Sequence, residues 1–392
     1  MTGFACCLLA VVTFMVGTHA AVAQTDFRAT LRAEAYAFDG DPLSPEQDQS
    51  PSRVALDLDV TFDLSDAISF TYDGTVGRAD FGYSRINRLG FDVQVGASLF
   101  SLGYDTVLWS KSEFALLSNV INPRDFRFDP TGETTLGQPM LRWELPLPSG
   151  VLTSLVIPKP LPSKFPGTAA RLRTRLPLSA EAQFERDQNT PAFALRYELS
   201  TGVADLGFYG YVGPSREAAI LPLGEVAAPF YAWVDQLGVD AQFTFGATVA
   251  KFELRHTQNQ LDRTGSQGDG FAASIGGEYT FYGVFGTPGD IALAAEYAWD
   301  ERGTASWQNN QNDLFLGLRW SLQNTADTRF EIGLQQDLDF DTEALRFGFE
   351  HRILDGLVVK SELVTWLDSD PRDLAFGFSQ DSYLRVSIEK SF

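Results

Sequence analysis

The chain has 392 residues, 44% of them hydrophobic, and its 51 acidic against 30 basic residues give a net charge of −21. That balance excludes nucleic acid as a partner, because phosphate backbones recruit basic patches. Both cysteines, Cys6 and Cys7, lie in the first 23 residues, so a chain that loses this segment has neither a disulfide framework nor a catalytic thiol.

Residues 1–23 read as a signal peptide. Residues 5–23 carry no Lys, Arg, Asp or Glu, and Ala21-Val22-Ala23 supplies a small-x-small cleavage pattern with Gln24 as the mature start. The n-region lacks Lys and Arg, and a retained anchor is the competing reading. Residues 24–392 then form a single domain. No later run of 18 apolar residues occurs, so no helix of that kind crosses a bilayer.

Alternation with a period of two fills the rest of the chain. Phe27, Ala29, Leu31, Ala33 and Ala35 alternate with Arg28, Thr30, Arg32 and Glu34. Leu345, Phe347 and Phe349 alternate with Arg346, Glu350 and Arg352 on the flanking positions. Strands are expected near 27–39, 52–63, 67–76, 88–97, 101–109, 138–146, 150–157, 191–200, 203–213, 229–245, 247–257, 270–281, 289–299, 312–322, 327–338, 343–353, 356–367 and 381–392. Short turns and long polar links largely alternate between them. The long links are 40–51, 77–88, 110–137, 158–190, 213–228, 258–269, 300–311 and 368–380.

The last strand runs from Tyr383 to Phe392, with Leu384, Val386, Ile388 and Phe392 on one face and Arg385, Ser387, Glu389 and Ser391 on the other. This terminal strand, closed by an aromatic, resembles the final strand of Gram-negative outer-membrane β-barrels of the porin and channel kind. Lys390 stands where that family usually has an apolar residue. More weakly, the strand count and an arginine-bearing link resemble the alginate-export type of 18-stranded barrel. The resemblance implies an all-β fold: a closed antiparallel transmembrane β-barrel of about 18 strands, with 16 or 20 as alternatives. It further implies short periplasmic turns, long external loops, and recognition of the strand ending at Phe392 by the barrel-insertion machinery. Outer-membrane lipid and lipopolysaccharide would surround it. Trp109, Trp299 and Trp366 are expected at the outer girdle, with Trp320 and Phe392 at the inner one.

Two links hold the candidate functional residues. The link 158–190 is a basic island in an acidic chain, with Lys159, Lys164, Arg171, Arg173, Arg175 and Arg186. If 171–175 is extended, its three guanidinium groups point one way and form a ladder for carboxylates or phosphates. The link is then a constriction folded into the lumen, a solvated external loop, or an additional hairpin. In the link 110–137, Arg124 and Asp125 follow an Asn-Pro turn, while Phe114, Leu116, Leu117, Val120 and Ile121 are too apolar for a solvated loop and suggest packing on the inner wall. Arg142, Arg196, Arg319, Arg346, Glu350, Arg352 and Arg385 are expected on the lumen wall, interleaved with acids that pair across strands.

The chain is expected to need no cofactor or metal, since 337–341 and 368–370 lack the calcium-loop pattern. It is not expected to be an enzyme. A hydrolase needs a His beside a nucleophile, and His256 and His351 fall on the outward faces of their strands. The resemblance implies passive passage of small hydrophilic or anionic solutes. The alternative is a plugged barrel with an adhesive, assembly or structural role.

Overall fold

The structure is a computed structural model describing residues 25–48, 51–79, 82–174, 177–179, 181–223 and 226–392. The expected leader and Arg175 lie outside these residues. In chain order, β1 (Thr25–Phe38), β2 (Ser52–Ser65), β3 (Ile68–Arg78), β4 (Gly82–Val95) and β5 (Ser98–Asp105) lead to the link 106–137. β6 (Gln138–Leu147) and β7 (Gly150–Ile157) precede the link 158–191, which holds the two-residue β8 (Gln183–Phe184). β9 (Ala192–Ser200) and β10 (Ala204–Pro214) are followed by a hairpin of β11 (Ala219–Leu223) and β12 (Val226–Tyr231). β13 (Trp233–Phe245), β14 (Thr248–Leu261), β15 (Gln267–Phe281), β16 (Asp290–Asp300) and β17 (Asn312–Ser321) come next. The chain ends with β18 (Arg329–Asp337), β19 (Glu343–Leu354), β20 (Leu357–Asp368) and β21 (Tyr383–Ser391).

Eighteen of these strands form one antiparallel sheet, while β8, β11 and β12 make a separate small one. Each barrel strand pairs with its neighbour, and β21 pairs back onto β1 from Thr30↔Ser391 to Phe38↔Tyr383. The ring is therefore closed, leaving no unpaired sheet edge. Alternation puts Phe193, Leu195, Phe208 and Leu237 outside, each at least half exposed, and Arg196, Tyr209 and Asp240 inside, each nearly fully buried.

Several boundaries differ from the sequence expectation. The link expected at 77–88 is mostly β4, which begins at Gly82. Its lumen face carries Arg85 and Asn87, and that polarity made a strand look like a loop. The β4–β5 turn lies at Gly96, whose φ of 60° suits glycine, so β5 ends at Asp105 rather than 109. The expected strand 229–245 is divided, because Phe230 and Tyr231 belong to β12 and the wall resumes at Trp233. Trp109 is not in the girdle. It lies past the end of β5, buried inside the barrel against Tyr209. Trp366 shares the parity of Glu362 and faces inward, packing on Phe378.

Eighteen strands enclose more space than wall side chains can fill. Here the chain fills one side with itself. Val107, Trp109, Val120 and Ile121 of the link 106–137 form a buried apolar cluster with Met140, Leu155, Ile157, Ala194, Tyr209 and Tyr211 of β6, β7, β9 and β10. The link 158–191 is joined to the same inward loop: the Lys164 N–H donates to Arg124 O (2.9 Å) and the Phe126 N–H to Lys164 O (2.8 Å). The larger open space lies against β17 to β21 and β1 to β4, where the link 106–137 reaches only in part, Phe128 resting on Arg53 and Glu133 facing Arg346 at 3.6 Å.

Candidate functional site

Two wall carboxylates hold the inward loop. Glu253 of β14 accepts from the Ser110 hydroxyl and from the N–H groups of Lys111 (2.6 Å), Ser112 (2.9 Å) and Ser118 (2.8 Å). Glu296 of β16 accepts from the N–H groups of Glu113 (2.9 Å) and Ala115 (2.8 Å). Charge-assisted bonds to otherwise orphaned backbone donors are among the stronger ones available. Glu253 and Glu296 are among the acids that alternation places on the lumen wall, where cross-strand pairing was expected of them, not capture of a loop.

A second anchor is Glu217, at the base of the β11–β12 hairpin. It pairs with Arg255 of β14 and with Arg302 (3.0 Å), and accepts from Gln260 (2.7 Å) and Gln308. Burial by itself raises its carboxyl pKa, but Arg255 and Arg302 override that and hold it at about 2.

These anchors leave two cavities, of about 470 Å³ and 190 Å³. In the larger one, arginines and acids interleave around the ring. Arg385, Arg32, Arg53 and Arg85 come from β21, β1, β2 and β4, Glu362 and Arg346 from β20 and β19, and Asp313 and Asp337 from β17 and β18. Arg32 is bound by Asp57 at 2.9 Å, Arg53 by Glu34, and Arg385 by Glu362. Arg85 donates to the Thr75 hydroxyl (3.2 Å) and makes no ion pair among the described residues.

The residues expected at the constriction divide into separate groups. Arg124 lines both cavities, and among the described residues none binds its guanidinium. Burial presses its pKa downward while Glu217 pulls it upward, and an arginine stays charged under such shifts. Asp125, beside it, is buried and tied to Arg127 at 2.6 Å. Lys159 and Lys164 are exposed, with Lys164 Nζ near Ser84 O at 3.4 Å. Over the described residues 171–174 the extended ladder is not formed, because the Arg173 N–H donates to Arg171 O across a tight turn. Arg171 is buried against Asp381 at 2.5 Å and also donates to Gly40 O (2.8 Å) and Gln380 O (3.3 Å). Its guanidinium lies over the Phe38 ring at 4.4 Å. It is thus a clamp between external links rather than an open anion contact. Arg173 lines the smaller cavity and donates to Thr168 O and Thr174 O.

On the wall, Arg142 pairs with Asp105 (3.2 Å), Arg319 with Glu278 (3.2 Å) and Arg346 with Glu362 (3.3 Å) and Glu133 (3.6 Å). Glu350 lies 3.9 Å from Lys360, and Arg352 meets Asp327 at the short-turn rim. Arg196 is sealed against Asp240 at 2.6 Å, away from both cavities. His256 packs on Phe271, and His351 bonds the Thr328 hydroxyl at 2.9 Å beside Phe349.

No protein-family model and no characterised relative matches the chain. Solved structures do match in shape. OccK11 (OpdR) of Pseudomonas aeruginosa aligns over 94% of this chain and 96% of its own, with a TM-score of 0.54 at 11% identity. OmpT of Vibrio cholerae in its trimer form, an outer-membrane protein, aligns over 95% of this chain and 100% of its own, with a TM-score of 0.45 at 12% identity. The closed ring of eighteen strands, with short turns at one rim and inward-folded links from the other, is the fold of the outer-membrane porin barrels.

Proposed function

We propose that the protein is an outer-membrane channel for passive passage of small hydrophilic solutes, with a preference for anions. The observation that carries this reading is Arg124, an uncommitted guanidinium on the border of both cavities. A bare cation on the path favours an anion without any conformational work. Arg85, which borders the larger cavity and makes no ion pair among the described residues, adds a second cation beside the path. In this reading lipid and lipopolysaccharide surround the apolar band, and the strand ending at Phe392 is the signal for insertion.

Purified protein in planar bilayers should give discrete conductance steps, and a salt gradient should give a reversal potential of anion-preferring sign. Arg124→Gln should move that potential toward zero. A folded sample that never conducts would sink the channel reading. It would favour the plugged barrel, for which the dry cluster around Trp109, Val120 and Ile121 speaks.

A further inference from the structure

The two cavities share a small set of lining residues, among them Leu116, Arg124, Leu172, Asn309, Asn310 and Phe378. These define the neck between them. Leu172 and Phe378 are fixed, buried in a cluster with Tyr36 and Tyr383. Leu116 differs: in the run Ala115 to Val120, Ala115, Leu117 and Val120 are buried and border only the smaller cavity, while Leu116 is partly exposed and lines both.

Its backbone explains why it points there. Leu116 has φ of 49°, in the left-handed region that a bulky side chain rarely occupies and that glycine and asparagine accept. The pins on either side impose it. Glu296 holds the Ala115 N–H, Glu253 holds the Ser118 N–H, and Arg255 donates to Leu117 O at 3.1 Å. Strain of this kind survives only where the surroundings over-determine it.

We infer that Leu116 is the specificity-determining residue of the neck. Its side chain narrows the path and keeps one side of it bare of hydrogen-bonding groups, while Arg124 holds the charge of a passing anion. An ion crossing here sheds water on the Leu116 side, and bulky hydrated solutes are stopped. This rests on the channel reading above and adds to it the residue that sets width and wetting.

The test compares wild type, Leu116→Gly and Leu116→Asn, after a heat-shifted electrophoretic band has shown that each is folded. Both replacements suit the left-handed backbone, so neither removes a conformation the fold requires. Chloride conductance in planar bilayers and liposome swelling in a graded series of neutral sugars are the readouts. Leu116→Gly should raise conductance roughly two-fold or more, as expected for opening an apolar constriction, and admit larger sugars. Leu116→Asn, of nearly unchanged size, should raise conductance while leaving the sugar limit where it was. A conducting wild type with both variants identical to it overturns the neck inference and leaves the channel reading standing. A silent wild type with a conducting Leu116→Gly supports the neck and overturns the open-channel reading. Silence in all three overturns both.

Discussion

The barrel has a dry side and a wet side built on the same alternating strands. On the dry side, the inward residues of β7, β9 and β10 include Leu155, Ile157, Ala192, Ala194, Tyr209 and Tyr211, covered by an inward loop, and the sealed Arg196. On the wet side, those of β1, β2 and β21 include Arg32, Glu34, Arg53, Asp57 and Arg385, and these border a cavity or one another's charges. The outward faces of both sides are apolar. What separates the sides is thus the inner half of the zigzag, and it decides where chain may fold in and where solute can pass.

Breaking one ion pair on each side would sharpen this contrast most. Arg196 and Asp240 have side-chain exposures of 2% and 0%. Arg196→Ala leaves a buried carboxylate without its partner, and equilibrium unfolding should show a loss of about 3–5 kcal/mol. Next comes the loop anchor: Glu253→Ala strands several N–H groups against the wall and should cost about 3 kcal/mol, with noisier single-channel currents as the loop loosens. Unchanged current noise in a destabilised Glu253→Ala would separate wall stability from loop position. The wet-side counterpart is Arg32 with Asp57, whose side chains are 24% and 31% exposed. Arg32→Ala should cost no more than about 1 kcal/mol, and a cost matching that of Arg196→Ala would erase the distinction between the sides.

The smallest effect expected concerns pH. Glu217 is held at about 2, below its ordinary value of 4.5. A depressed carboxyl stabilises the fold fully above the unfolded value and loses that contribution as pH falls through the folded one. The latch to Arg255 and Arg302 should therefore be indifferent to pH between 5 and 8 and weaken only from about 4.5 downward. Conductance that responds to acid near pH 6, and keeps doing so in Glu217→Gln, would place the sensitive group elsewhere.

Much of the fold was legible because lipid leaves the outer face no choice: alternation, the terminal aromatic and the succession of short and long connections all report the cylinder. The inner face obeys a looser rule, and there the reading failed where polarity passed for a loop, as in β4. One signal went unused. Leu155, Val156 and Ile157 run without a polar residue at the end of β7, the mark of a strand end covered on both faces, and this points to the dry side. Arg124 was a visible candidate, since an arginine follows an Asn-Pro turn in an apolar link. Arg85 was missed because the stretch around it read as a link, whereas Arg53 stood inside the expected strand 52–63 and was not singled out. The fate of Arg171 could not be read, because its partner Asp381 lies 210 residues away and no local pattern announces it.

That partner has a consequence for how the molecule is made. Arg171 comes from mid-chain, yet its socket combines Gly40, just after the first strand, with Gln380 and Asp381, just before the last. The two walls of the socket meet only when β21 docks on β1. The side chain synthesised in the middle can come to rest only at the end, so the seam and its rivet mature together, and a half-built cylinder has nowhere to put it.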